Sequence, residues 1–440
     1  MKILHVTLGN PLTHQGGLNR YCLEVSEIQR KMGNQVYILY PGTFSTKGKI
    51  RISNVGVNMY RIYNALPVAI TYGIDEPLRY MKKCDSNIYV NWLKEITPDI
   101  IHVHSIQGIH KEFFEAAKNL GIKMCFTTHD YYPVCFKTVL YANGTVCSGF
   151  EASKCAICNE NAGLNKKKQQ LMQSEFYQRL KGKKIVQLLK KKKIKNQTDV
   201  NIKKTIRGEL DKKKYSDLHK YYIDILMMMN IIHCNSENTY NYYKNNFGVC
   251  NYKIIPITHM GLLRSKHIRM NKDQINISYM GGATEHKGYG IVEKVIDDLE
   301  RLDIPNWKIN YYGSDYYKEN TEHRNYNGYF NKNESESVWK NTDVLIAPSQ
   351  CPETFGYIIL EAIARGIPVI ASDLYGSSFL LKKYSKYFIF SHNNENELKE
   401  KIKFLLNADN YGFACELINS ISVEIDMEKH VEKIMNMYIE

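Results

Sequence analysis

The segment from Ala347 to Pro368, APSQCPETFGYIILEAIARGIP, leaves a chain little freedom. It reads as strand, loop, helix, stop and strand. Asp343 to Ala347 is a short run of the kind buried in a parallel sheet. The helix begins near Gly356, turns Ile358, Ile359, Ala362 and Ile363 inward, and stops at Gly366, with Pro368 just beyond. Val369 to Ala371 open the next strand. Open α/β sheets bind ligands at the carboxyl ends of strands, beside such a helix start. The amides around Thr354, Phe355 and Gly356 therefore suit a phosphate group. Glu353 in the loop and Glu361 on the helix frame that site. A carboxylate beside a phosphate is useful only against uncharged groups such as sugar hydroxyls. The plainer alternative is an ordinary βαβ unit with two surface glutamates.

The rest of the chain repeats this grammar. Residues 2–7 form a strand, Gly16 and Gly17 follow in a loop, and a helix runs from about Leu18 to Met32. Two glycines at a first βα turn let a backbone approach a ligand closely, but the third glycine of a dinucleotide fingerprint is missing. A hairpin or loop is expected up to about residue 70, then a helix from roughly Glu76 to Ile96. The strand Lys123 to Asp130 ends in His129, which can donate to a sugar hydroxyl or phosphate, act as a base, or be a satisfied structural histidine. His102 and His104 are weaker candidates on the same edge. Asn276 to Gly288 is strand, glycine loop and helix start, where Lys287 would neutralise a diphosphate leaving group or else be a surface lysine.

The stretch from Ala347 to Gly376 resembles the donor-site signature of retaining glycosyltransferases of the glycogen-synthase-like family 4, of bacterial surface-polysaccharide type. The resemblance implies the GT-B fold: two doubly wound Rossmann-like domains facing across a cleft, here with a basic helical insert in the first. It implies that Glu353 contacts the transferred sugar, that Glu361 holds the ribose hydroxyls, and that His129 touches donor sugar and acceptor. Gly16 and Gly17 are similar to the loop facing the donor phosphate, Gly281 to Gly288 to the second donor motif, and Tyr329 to the loop around the base. Many members carry an arginine where this chain has Gly282, so leaving-group charge rests on Lys287, backbone amides and His286. The donor set is then Gly16, Gly17, Gly282, Lys287, Tyr329, Thr354, Phe355, Gly356 and Glu361. The implied reaction moves a sugar from a nucleotide-sugar to a glycan or lipid-linked acceptor. No Asp-x-Asp cluster is evident, so no metal is expected in catalysis. Domains are expected over residues 1–260 and 270–420, with a final helix at 421–440 crossing back to the first domain. A sugar epimerase of the same fold is expected to lack the glutamate pair.

Length and charge add bounds. At 440 residues with a 44% hydrophobic fraction, two buried cores are expected. Eleven cysteines and no signal peptide suggest a reducing, cytoplasmic setting. Cys135, Cys147, Cys155 and Cys158, in a loop over 131–158, are candidates for structural zinc, with free thiols or disulfides as alternatives. The net charge of +14 lies in one place: residues 164–214 hold 18 basic and four acidic side chains, and the rest holds 41 of each. This insert, set at 159–228, suits an anionic membrane surface or a solvated helical excursion. Nucleic acid fits the charge, but only Phe176, Tyr177 and Tyr215 are aromatic in or beside the run, too few for good base stacking; a nucleic-acid- or membrane-binding protein without turnover is the runner-up reading.

Overall fold

The computed structural model describes residues 1–13, 16–42, 48–160, 162–164, 166–172, 209–248, 250–269, 273–331 and 333–440. Residues 176–195 of the basic insert, whose Leu180, Ile185, Leu188, Leu189 and Ile194 suit a basic helix, lie outside them. The first sheet has eight strands: β1 (Lys2–Val6), β2 (Gln35–Pro41), β3 (Arg51–Gly56), β4 (Met59–Tyr63), β5 (Ile100–Val103), β6 (Lys123–Thr127), then β9 (Ile231–Cys234) and β10 (Tyr252–Ile254). Between them a small hairpin, β7 (Tyr141–Ala142) and β8 (Thr145–Val146), stands apart. The order is β10-β9-β6-β5-β1-β2-β4-β3, parallel except where β3 returns beside β4. The second sheet holds β11 (Ile275–Met280), β12 (Trp307–Tyr312), β13 (Arg324–Gly328), β14 (Val344–Ala347), β15 (Val369–Ser372) and β16 (Ile389–Phe390), all parallel, in the order β13-β12-β11-β14-β15-β16.

Central strands are buried along their whole length, as in Ile100–Val103 and Val344–Ala347, because helices cover both faces. The edge strand β3 is polar and largely exposed, which discourages pairing with another chain. The helix Gly17–Lys31 buries Tyr21, Cys22, Val25 and Ile28, and Gly33 ends it at φ 84°.

Two stretches differ from expectation. The helix expected over 76–96 is a 3-10 turn at Pro77–Tyr80 and a separate helix at Asn87–Ile96. Asp85 accepts from the Asn87 amide at 3.0 Å, and the Cys84 amide donates to Glu112 on another helix, so one local and one distant polar bond interrupt the run. The helix Glu209–Leu226, assigned to the insert, is an element of the first core from Tyr215 onward. Its Tyr215, Leu218, Tyr222 and Ile225 are buried at helical spacing.

The two cores meet through a third apolar cluster, which joins Tyr21, Val25 and Ile28 to Phe355, Leu360 and Ala364, with Met427 and Val431 from the last helix, Met427–Ile439. Farther along, Ile434, Met437 and Tyr438 cover Ile3, Ile100, Cys125 and Ile231 of the first sheet. Each such side chain, fully buried, contributes about 1.5–3 kcal/mol. Among the described residues no helix is long and apolar enough to cross a membrane.

Candidate active site

The sheets point their carboxyl edges at a common cleft, where a pocket of about 190 Å³ is lined by Tyr279, Lys287, Glu353, Gly356, Tyr357 and Tyr375. The helix Tyr357–Ala364 opens into it. Its N-cap, Gly356, has φ 89°, and a Cβ there would lie 2.3 Å from the Tyr375 ring. No side chain caps it, and among the described residues the amides of Phe355, Gly356, Tyr357 and Ile358 have no partner. An uncapped helix start with free amides is an anion site.

Lys287 reaches the same pocket. Gly288 behind it has φ 77°, and any Cβ would meet the Pro348 carbonyl oxygen at 1.9 Å, so only glycine lets this loop press against the next. Lys287 Nζ lies 2.5 Å from Glu353 Oε1, with side chains 39% and 22% exposed. The Glu353 charge holds the Lys287 ammonium above its ordinary range, against the opposing effect of burial. Glu353 is itself fixed by its backbone, which bonds to Leu374 and Gly376, and by Ser349 Oγ at 3.3 Å.

The first domain closes the site. Thr354 Oγ1 donates to the His129 carbonyl at 3.0 Å, and Ser236, the cap of helix Glu237–Phe247, donates to the Thr354 carbonyl at 2.6 Å. A Cβ on Gly17 would sit 3.6 Å from the Tyr357 ring, which sets the glycine loop against the helix start. Burial pushes the His129 imidazole down to about 3, so it is neutral at ordinary pH.

Glu361 sits one face further along. His259 Nε2 lies 2.8 Å from its Oε1, off the line of a hydrogen bond, and Arg20 Nη1 lies 3.8 Å from it. His259 Nδ1 lies 2.5 Å from Arg20 Nη2 and 2.9 Å from the Met260 carbonyl oxygen, which ties Arg20, His259 and Glu361 into one cluster.

Family models match parts of both domains. Residues 15–154 match the family described as Glycosyltransferase Family 4, and residues 264–416 match Glycosyl transferases group 1. The chain is a GT-B glycosyltransferase by fold and by domains. No curated protein matches it in sequence. Among solved structures it is similar to sucrose-phosphate synthase from Thermosynechococcus elongatus, at 14% identity and TM-score 0.58, covering 100% of this chain and 98% of that one. It is also similar to Anabaena HepE in complex with UDP-glucose, at 12% identity and TM-score 0.54, covering 99% of each. A third is WaaG, a glycosyltransferase involved in lipopolysaccharide biosynthesis, at 12% identity and TM-score 0.56, again covering 99% of each.

In this GT-B cleft the structure brings together Lys287, Glu353, Thr354, Phe355, Gly356, Gly17 and His129. Gly282 borders it, its carbonyl accepting from Tyr279 at 2.8 Å. Tyr329 does not line the pocket and is 70% exposed beyond β13. Cys135, Cys147, Cys155 and Cys158 are all free; the stretch expected as a loop over 131–158 holds the β7–β8 hairpin and a helix, Ala152–Cys158, that carries Cys155 and Cys158. Burial, with the neighbouring thiols, pushes Cys155 up to about 12. Among the described residues no three of these thiols lie within 4.8 Å of one another, whereas ring nitrogens of His5, His102 and His104 do. Sequence reasoning missed Arg20, His259 and Tyr375, whose roles arise from contacts between distant segments.

Proposed function

We propose that this chain is a retaining transferase that moves a glycosyl group from a nucleotide-sugar to a glycan acceptor, lipid-linked, in cell-surface polysaccharide assembly. The observation that carries the reading is the Lys287–Glu353 pair set against the free amides at Gly356 to Ile358. A nucleotide-sugar presents a diphosphate and sugar hydroxyls side by side. On binding, the diphosphate takes Lys287 and the helix start, and the hydroxyls take Glu353. The anomeric C–O bond to phosphate breaks as the acceptor hydroxyl bonds to the same face, its proton leaving with the diphosphate. Charge stabilisation on the departing diphosphate is the main task, and Lys287, the amides and the Gly16–Gly17 loop supply it without a catalytic metal. His129 orients sugar and acceptor, and Glu361 holds the ribose. HepE binding UDP-glucose supports a nucleotide-sugar of this kind. Structural zinc on Cys135, Cys147, Cys155 and Cys158 is a separate proposal, and it requires these thiols to draw together, since no three of them lie within 4.8 Å of one another among the described residues. Metal analysis of protein purified without chelator tests it, with bound zinc expected and metal-free folded protein overturning it.

The test is a thermal-shift and hydrolysis screen with UDP-, GDP- and ADP-sugars, without added metal, on wild type and Glu361→Ala. One nucleotide is expected to stabilise wild type alone, with slow sugar release. No shift with any of them would sink the reading.

A further inference from the structure

A continuous line of hydrogen bonds crosses the interior of the first domain and ends at His129. The Ile255 carbonyl can only accept, so His233 Nε2, 2.8 Å away, carries a proton. With neutral rings, every other proton then follows. His233 Nδ1 must accept from Thr127 Oγ1 at 2.9 Å, and Thr127 therefore accepts from His102 Nε2 at 2.6 Å. His102 Nδ1 accepts from the Tyr438 hydroxyl at 2.5 Å, which in turn accepts from the Gln29 amide nitrogen at 3.2 Å. That leaves Gln29 Oε1 facing His5 Nε2 at 2.7 Å. His5 Nδ1 accepts from His104 Nε2 at 2.9 Å, and His104 Nδ1 from His129 Nε2 at 3.0 Å.

We propose that this line fixes His129 as the Nε2–H tautomer, so that its Nδ1 presents a lone pair and accepts a hydrogen bond from a hydroxyl of a bound sugar. Among the described residues nothing partners that nitrogen, whereas Nε2 is committed to His104. Gln29, His5, His104, His102 and Tyr438 are then positioning residues, and they act through His129. The same bonds explain why His5, His102 and His104 do not form a metal site: all their ring nitrogens are already engaged, three of them as donors. Burial keeps the rings neutral, as the line requires, with His5 and His233 held down to about 4 and His102 and His104 well below their ordinary range. The use of the lone pair rests on the transferase reading, but the tautomer does not.

The experiment is long-range proton–nitrogen correlation NMR on the full chain labelled with 15N-histidine, without ligand, with His129 assigned by comparison with His129→Gln. The expected result is one His129 tautomer with an unprotonated Nδ1. Gln29→Met and Tyr438→Phe, each checked for intact folding, are expected to give a mixture of both tautomers. Gln29→Glu, which still accepts from His5, is expected to restore the single one. A protonated Nδ1 in wild type, or a spectrum unmoved by both Gln29→Met and Tyr438→Phe, overturns the proposal. Loss of donor binding with the tautomer intact would count against the transferase reading alone.

Discussion

Among the described residues Lys287 Nζ has one strong partner at rest, Glu353 Oε1, and the proposed reaction gives it a better one as negative charge grows on the leaving group. Lys287→Met should therefore lower kcat by about 10²–10³-fold, the usual loss for one such donor, with a smaller change in KM. Equal loss in Glu353→Gln and Lys287→Met, without further loss when combined, would show the two working as a unit; an unchanged kcat in Lys287→Met would remove it from the mechanism. The buried imidazoles set a second expectation. Burial holds His5, His110 and His233 down to about 4 and His129 and His430 to about 3. The unfolded chain takes up these protons near pH 6.5, so it binds more of them than the fold does below that point. Stability is full above pH 6.5 and falls as pH drops toward 4, by about 1.4 kcal/mol per pH unit for each such group. Urea midpoints measured across this window check it, and a flat profile would contradict it.

At the scale of elements, the helix start at Gly356 and the helix Met427–Ile439 carry separate burdens. Gly356→Ala forces a side chain into both a left-handed backbone and the Tyr375 ring, at a cost of about 1–3 kcal/mol from the backbone alone. It should abolish the nucleotide-induced thermal shift while leaving a cooperative unfolding transition. Ile434→Ala should instead cost about 2–5 kcal/mol of global stability with the pocket intact, read by denaturant unfolding. The contrast mirrors what sequence could show. The Glu353-to-Pro368 unit was legible because loop, glycine and proline fall at fixed offsets on one short segment. Lys287 and Gly288 were legible for the same reason. His5, Gln29 and Tyr438 were not, since nothing in three separate elements announces that β1, the helix Gly17–Lys31 and the last helix will meet. The helix Glu209–Leu226 was misjudged because Lys212 to Lys214 hid the buried stripe that begins at Tyr215.

At the scale of the whole molecule, charge and closure dominate. The basic excess confined to residues 164–214 should draw the protein to vesicles rich in anionic lipid, each lysine near the surface contributing about 1 kcal/mol. Raised salt should release it, and equal sedimentation with neutral vesicles would rule the membrane reading out. The last helix also has a temporal side. It seals Ile3, Ile100, Cys125 and Ile231, residues that belong to the first-made domain, with side chains made long afterwards. At about 5–20 residues per second, roughly 10–40 s pass between synthesis of β10 and of that helix. During this interval the nascent first domain offers a bare apolar sheet face, and Gln29 and His102 wait for their shared tyrosine. The polarity of the histidine line is thus completed only once Tyr438 has been made, so a ribosome that stalls before Met427 holds a chain with its donor motifs present and its histidine unset.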